Sequence, residues 1–237
     1  MPRQDYRFLS TRTDRIFNLS DGVFSIAMTL LVFGLVVPVL EPGGPTLAQA
    51  LLGMWQEFLL YGLSFLILGV LWIMHHAVYD NLKHSDHMLL WLNILALLFV
   101  ALLPFSTSLI WRHGANRVTA LTYGANFLGG AVFMWGMFCY GSGKEVLLKP
   151  GVDPRVIRAG RRMGLAYTVI LLIAIGLAFV IPLASFAMYA AFVVAFIVFT
   201  MLGRFDVVML WPAARTRRER GGPTSNGADR PEEGTKR

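Results

Sequence analysis

The chain has 237 residues, 56% of them hydrophobic and 15% charged, with a mean hydropathy of +0.59. Soluble domains run closer to half apolar and a quarter charged, so composition places a membrane protein ahead of a soluble enzyme or binding module. The net charge of +7 does not argue for nucleic acid as a partner, because the basic residues sit in tails and loops between uncharged stretches, as membrane topology requires.

Six spans are predicted in chain order. The first runs from about Phe17 to Pro38. It reads as an uncleaved span rather than a signal peptide, because no small-x-small cleavage site follows it. The second runs from about Phe58 to Ala77, the third from about Met88 to Trp111, and the fourth from about Val118 to Gly141. Met163 to Gly203 holds 41 residues without a charge. As one helix this would be about 60 Å long, roughly twice the hydrocarbon thickness, so it must be two. Pro182 marks the turn, which ends the fifth span there and starts the sixth near Ser185.

Nineteen of the 21 Lys and Arg residues then fall on one side, and only Arg112 and Arg117 on the other. The positive-inside rule predicts both termini in the cytoplasm. The expected organisation is a cytoplasmic tail over 1–16, a six-helix transmembrane domain over 17–211, and a basic tail over 212–237. That last tail lacks apolar periodicity and is expected to be disordered, and its "ARTRRER" start reads equally as a segment lying against anionic membrane lipid or as a solvated stop-transfer flank. Cys139 is the single cysteine, which leaves no intrachain disulfide and no Cys-based metal site within one chain.

The stretch "RIFNLSDGVFSIAMTLLVFGL", residues 15–35, puts Asp21 about one turn inside the first span. An intramembrane carboxylate needs a partner. Arg15, six positions earlier, is poorly spaced for an intrahelical pair. Donors on neighbouring helices are better placed: Trp72, His75 and His76 end the second span, and Asn93 lies near the start of the third. Asp21 is expected to accept from one of these four. A static bond is the preferred reading, and an Asp–His proton relay is the alternative. His75 and His76 cannot share a helix face, and no ligand-spaced cluster accompanies them, so no metal site is expected.

After Asp21 one helical stripe holds Gly22, Ile26, Thr29, Leu30 and Phe33, mostly apolar with a single hydroxyl. Packing against another helix is the ordinary reading of such a stripe.

"RIFNLSD" followed by "GVFSIAMTLL", the "W-x-x-H-H" of Trp72 to His76, and "LWLNILALLFVALLPFST" from Leu90 to Thr107 resemble, in that order, the lysosomal and prokaryotic potassium channel family known as transmembrane protein 175. Arg15, Ser20 and Asp21 match its opening motif, whereas Leu19 stands where the family has an aromatic. The resemblance implies an all-α integral membrane protein of six transmembrane helices per chain. A chain with one copy of the motif would assemble as a homotetramer in the plasma membrane. The resemblance further implies that the first helices line a central pore, with Ile26 as the constriction and Leu30 and Phe33 further out. Thr29 and Ser25 would supply hydroxyls, and potassium ions would be the permeant species, with no cofactor. Arg15, Ser20 and Asp21 would tie the first helix to the second and third through Trp72, His75, His76 or Asn93.

Four Ile side chains can close a pore by dewetting. The absence of acidic and basic groups from the stripe argues against divalent and anion selectivity. The rival readings are a proton-coupled transporter using Asp21 and a histidine, and a non-conducting membrane scaffold. An enzyme is the least supported class, because the spans hold no second carboxylate, no nucleophile with an adjacent base and no cofactor motif.

Overall fold

The structure, a computed structural model, describes residues 13–202, with side chains from residue 17 onward. It is all helical. α1 (Thr13–Leu30) continues as a single 3-10 turn, Leu31–Gly34. Then come α2 (Leu47–Gly53), α3 (Trp55–Asp80), α4 (His87–His113), α5 (Arg117–Gly141), α6 (Pro154–Ala178) and α7 (Pro182–Met201). Five of the six long helices are both long and apolar enough to cross a membrane. α5 is the exception: Asn126, Thr119, Thr122 and five glycines dilute its hydropathy. It is instead the inner helix, packed against α3, α4, α6 and α7, with its small residues allowing close approach. At Gly124 a β-carbon would collide with the hydroxyl of Tyr189.

Local chemistry sets the ends. Asp86 caps α4 by accepting from the Leu89 amide at 3.0 Å. Asn116 caps α5 through the amides of Val118 and Thr119. Asp153 caps α6, with Pro154 in its first turn. Pro182 opens α7, where a missing amide hydrogen costs nothing.

The spans expected from sequence therefore shift at several ends. α1 begins at Thr13, inside the segment expected to be tail, and its α-helical part stops at Leu30 rather than near Pro38. Leu35 is already extended, and the chain does not resume a helix before Pro38, because Val36 and Val37 are β-branched and Val37, as the residue before a proline, avoids helical ψ. α6 starts at Pro154, so Arg155, Arg158, Arg161 and Arg162 ride on its first turns instead of in a loop. The short α2 was not expected, although Thr46 and Gln49 form a reciprocal capping box. Pro104 sits within α4 without ending it. The expected tail over 212–237 lies outside the described residues, as does most of the N-terminal one.

At one end of the bundle the α3–α4 and α5–α6 connections are joined by hydrogen bonds from Lys83 N to Leu147 O at 2.8 Å and from Lys149 N to Asn81 O at 3.0 Å. Asp86 adds a clasp there, accepting from Tyr140 Oη at 2.7 Å and from Lys144 Nζ at 3.1 Å. Burial raises the Asp86 pKa, but the bonds from Tyr140, the Leu89 amide and Lys144 outweigh it and hold the carboxyl below its ordinary range.

Candidate functional site

α1 has two unlike faces. Ser20, Phe24, Ala27 and Leu31, at helical spacing, are fully buried against the bundle. Gly22, Ser25, Ile26, Thr29, Leu30 and Phe33 are exposed on the opposite side, with Ile26 at 61% and Phe33 at 79%. The Thr29 hydroxyl donates to the carbonyls of Ser25 and Ile26 at 3.0 and 2.9 Å. Its proton is thus turned back to the helix and its lone pairs are left for an outward partner. The face carries no charge.

Behind this face, polar groups fasten α1 to α3 and α4. Trp72 Nε1 donates to Asp21 Oδ1 at 2.8 Å. Of the four donors that the sequence offers to Asp21, the structure brings Trp72 to it. Asn93 instead donates through Nδ2 to Ser20 Oγ at 3.1 Å, and its Oδ1 lies 2.9 Å from His75 Nε2. Because Oδ1 can only accept, His75 carries its proton on Nε2. Ser20, His75 and Asn93 are all buried, so one continuous chain of hydrogen bonds runs from α1 through α4 to α3. A low-dielectric setting makes each of these bonds costly to lose.

The adjacent histidines diverge. His75 points inward among the rings of Phe17, Phe24 and Tyr79. His76 stacks on Trp72 with ring centroids 5.6 Å apart, and its Nε2 lies 3.2 Å from Asp80 Oδ2 on the same helix. Neither His75 nor His76 reaches Asp21 by a hydrogen bond. Among the described residues no group of three His, Cys, Asp or Glu side chains could hold a metal.

Two further placements bear on the sequence reading. Leu19, at the position of the family aromatic, is exposed. The aromatics that lock α1 down are Phe17, which touches His75, His76 and Tyr79, and the buried Phe24. Sequence reasoning passed over both, although Phe24 shares a helical stripe with Ser20 and Leu31. Arg15 lies in α1, and its side chain is outside the described residues.

An all-helical bundle with several membrane-length apolar helices, one of them pinned by a buried polar chain and exposing a charge-free face, is a multi-pass membrane protein. The model of the family described as the endosomal/lysosomal potassium channel TMEM175 matches residues 15–104, the stretch that carries every residue of the polar tie. A potassium channel of Streptomyces collinus is 34% identical over 152 residues, covering 62% of this chain and 73% of that protein. The mouse endosomal/lysosomal proton channel TMEM175 is 35% identical over 100 residues, 39% of this chain and 20% of that one. The crystal structure of a lysosomal potassium-selective channel TMEM175 homolog from Chamaesiphon minutus superposes with a TM-score of 0.69 at 28% identity. That match covers 79% of this chain and 97% of that one. The chain belongs to the TMEM175 family.

Proposed function

We propose that this chain forms a cation channel of the plasma membrane, selective or weakly selective for potassium, built as a homotetramer around a pore lined by α1. In this reading α5 crosses the membrane as well, which completes six spans, and the positive-inside rule sets both termini in the cytoplasm. Ile26, Leu30 and Phe33 form a hydrophobic gate and filter. Thr29 and Ser25 offer oxygen atoms to a partly dehydrated cation. Ser20, Asp21, Trp72, His75 and Asn93 hold the helix, with Arg15 and the stacked His76 at its cytoplasmic end.

The observation that carries the reading is the two-faced α1. A helix whose rear is fixed by directional hydrogen bonds can present a rigid front. That front alternates bulky apolar side chains with hydroxyls and bears no charge. Rings of apolar side chains close a pore by dewetting. Partial dehydration favours potassium, which holds its water less tightly than sodium. The names of the Streptomyces and Chamaesiphon proteins point to the same ion.

The name of the mouse relative supports a second reading, proton conduction. Here Asp21 would be the titratable group nearest the exposed face, and Asp21→Asn would abolish a pH-gradient-driven flux while sparing the fold.

The test is potassium- and sodium-driven flux from liposomes holding the purified wild type or Ile26→Asn. Wild type should pass potassium in preference to sodium. The variant, with a hydrated constriction, should leak both, its preference falling to about one. Absence of flux from both proteins over a range of pH and voltage would overturn the channel reading and leave a shared fold without a shared activity.

A further inference from the structure

At the end of the bundle remote from the Asp21–Trp72 tie, the 3-10 turn after α1, the start of α3 and the end of α4 enclose an open cleft of about 510 Å³. Its wall includes Leu30 and Phe33 from the exposed face of α1, and Glu57, Ser108, Trp111 and Arg112. Trp111 lies directly over Gly34, where any β-carbon would collide with the indole, so the wall is closely built. Two polar atoms on it are buried without a hydrogen-bond partner among the described residues: Glu57 Oε2 and Trp111 Nε1.

An enclosed carboxylate oxygen without a donor is costly, and the cost falls when a cation or its hydration water supplies the missing partner. The indole N–H cannot bind a cation, but it can donate to a water of the cation's shell. Arg112 lies on the same wall but is exposed, so solvent screens its opposing charge more strongly than that of Glu57. The cleft thus favours a hydrated monovalent cation over an anion, and it borders the side chains assigned to the gate.

We propose that this cleft is the outer vestibule of the pore, and that Glu57 recruits monovalent cations such as potassium there before they reach Phe33 and Leu30. The proposal rests on the pore reading above. Charge lining a low-dielectric mouth raises the local counter-ion concentration and therefore the entry rate, and salt screens the effect.

The experiment is single-channel conductance of the full chain in planar bilayers, for wild type, Glu57→Gln and Arg112→Gln, in dilute and in concentrated potassium chloride. With the Debye length near 30 Å at about 0.01 M and 3 Å at about 1 M, the charge effects should appear only in dilute salt. Glu57→Gln should then lower the conductance for ions entering from the cleft side about 2- to 4-fold, and Arg112→Gln should raise it. All three proteins should converge in concentrated salt.

A conducting wild type with unchanged Glu57→Gln conductance in dilute salt overturns the proposal and leaves the pore reading intact. A loss equal at both salt levels, or a Glu57→Gln protein that no longer assembles, also overturns it, since Glu57 would then serve structure, for instance by pairing with a cationic side chain of a second copy. A silent wild type overturns the pore reading itself.

Discussion

Several helices of this bundle expose apolar faces, and those of α1 and α6 are held in different ways. On α1 the front shows Ser25, Ile26, Thr29, Leu30 and Phe33, and the rear is fixed by hydrogen bonds through Ser20, Asp21, Asn93, His75 and Trp72. On α6 the front shows Leu165, Val169, Leu172 and Ile173, with no hydroxyl among them. Its N-terminal part is tied to α5 by hydrogen bonds of Trp135 and Arg161, and beyond that its rear is held by ring packing, with Tyr167 edge-on to Phe192 and Phe196 of α7 at 5.2 and 6.0 Å. Apolar packing is non-directional and lets a helix slide or rotate at modest cost. A buried hydrogen-bond chain fixes rotation, because every small twist leaves a donor or acceptor unmatched. A second buried chain, Thr107 to Ser64 to Tyr123, ties α4, α3 and α5 together. The chain behind α1 differs in backing an exposed face that carries the hydroxyls of Ser25 and Thr29, which is where rotational register would matter to an ion.

The comparison breaks most readily at Asn93. Asn93→Ala leaves His75 Nε2 without its partner in a buried site and removes the bond that joins Asn93 to Ser20, with an expected cost of about 2–4 kcal/mol. Phe192→Leu, which removes a ring from the α6–α7 packing but leaves no polar group stranded, should cost less, about 1–2 kcal/mol. Thermal unfolding in detergent ranks the two. If they are equal, the rear of α1 is no more specified than that of α6.

A smaller effect is expected at Asp86, whose clasp to Tyr140 and Lys144 lies outside both faces. Asp86→Asn should lower stability by no more than about 1 kcal/mol, because the lysine end is solvent-screened. The folded pKa of Asp86 is depressed, so its contribution is fully present above the unfolded value near 3.9 and disappears as pH falls through the lower folded value. The difference between wild type and variant should therefore be constant from about pH 5 upward and vanish in stronger acid. A difference that grows as pH falls would contradict the clasp.

Much of this arrangement was legible in the sequence, for identifiable reasons. Long uncharged runs located the membrane helices, and a 41-residue run could only be two of them, broken at Pro182. The polar set around Asp21 was visible because intramembrane polar residues are few. Which donor meets Asp21 was not, since Trp72, His75 and His76 fall within about 100° of one another around one helix and the azimuth of that helix relative to α1 depends on tertiary packing. The roles of Phe17 and Phe24 were not legible because both sides of α1 are apolar, so composition does not distinguish the exposed stripe through Ile26 from the buried one through Ser20, Phe24 and Leu31. α2 was missed because its capping signal, Thr46 to Gln49, sits in a segment too short and too weakly apolar to register as a span. The low hydropathy of α5 has the same root as its inner position: small and polar residues suit contacts with four neighbours better than contact with lipid.

The central claim is that the front of α1 faces a water-filled path and the front of α6 does not. The most direct test places single cysteines in a Cys139→Ala background, at Ser25, Ile26 and Thr29 on α1 and at Leu172 and Ile173 on α6, and follows potassium flux after a cationic thiol reagent is added. Block at the α1 positions, with flux unchanged at the α6 positions, is the predicted result. Modification that leaves flux untouched on α1, or blocks equally from α6, would contradict the assignment of α1 as the lining of the pore.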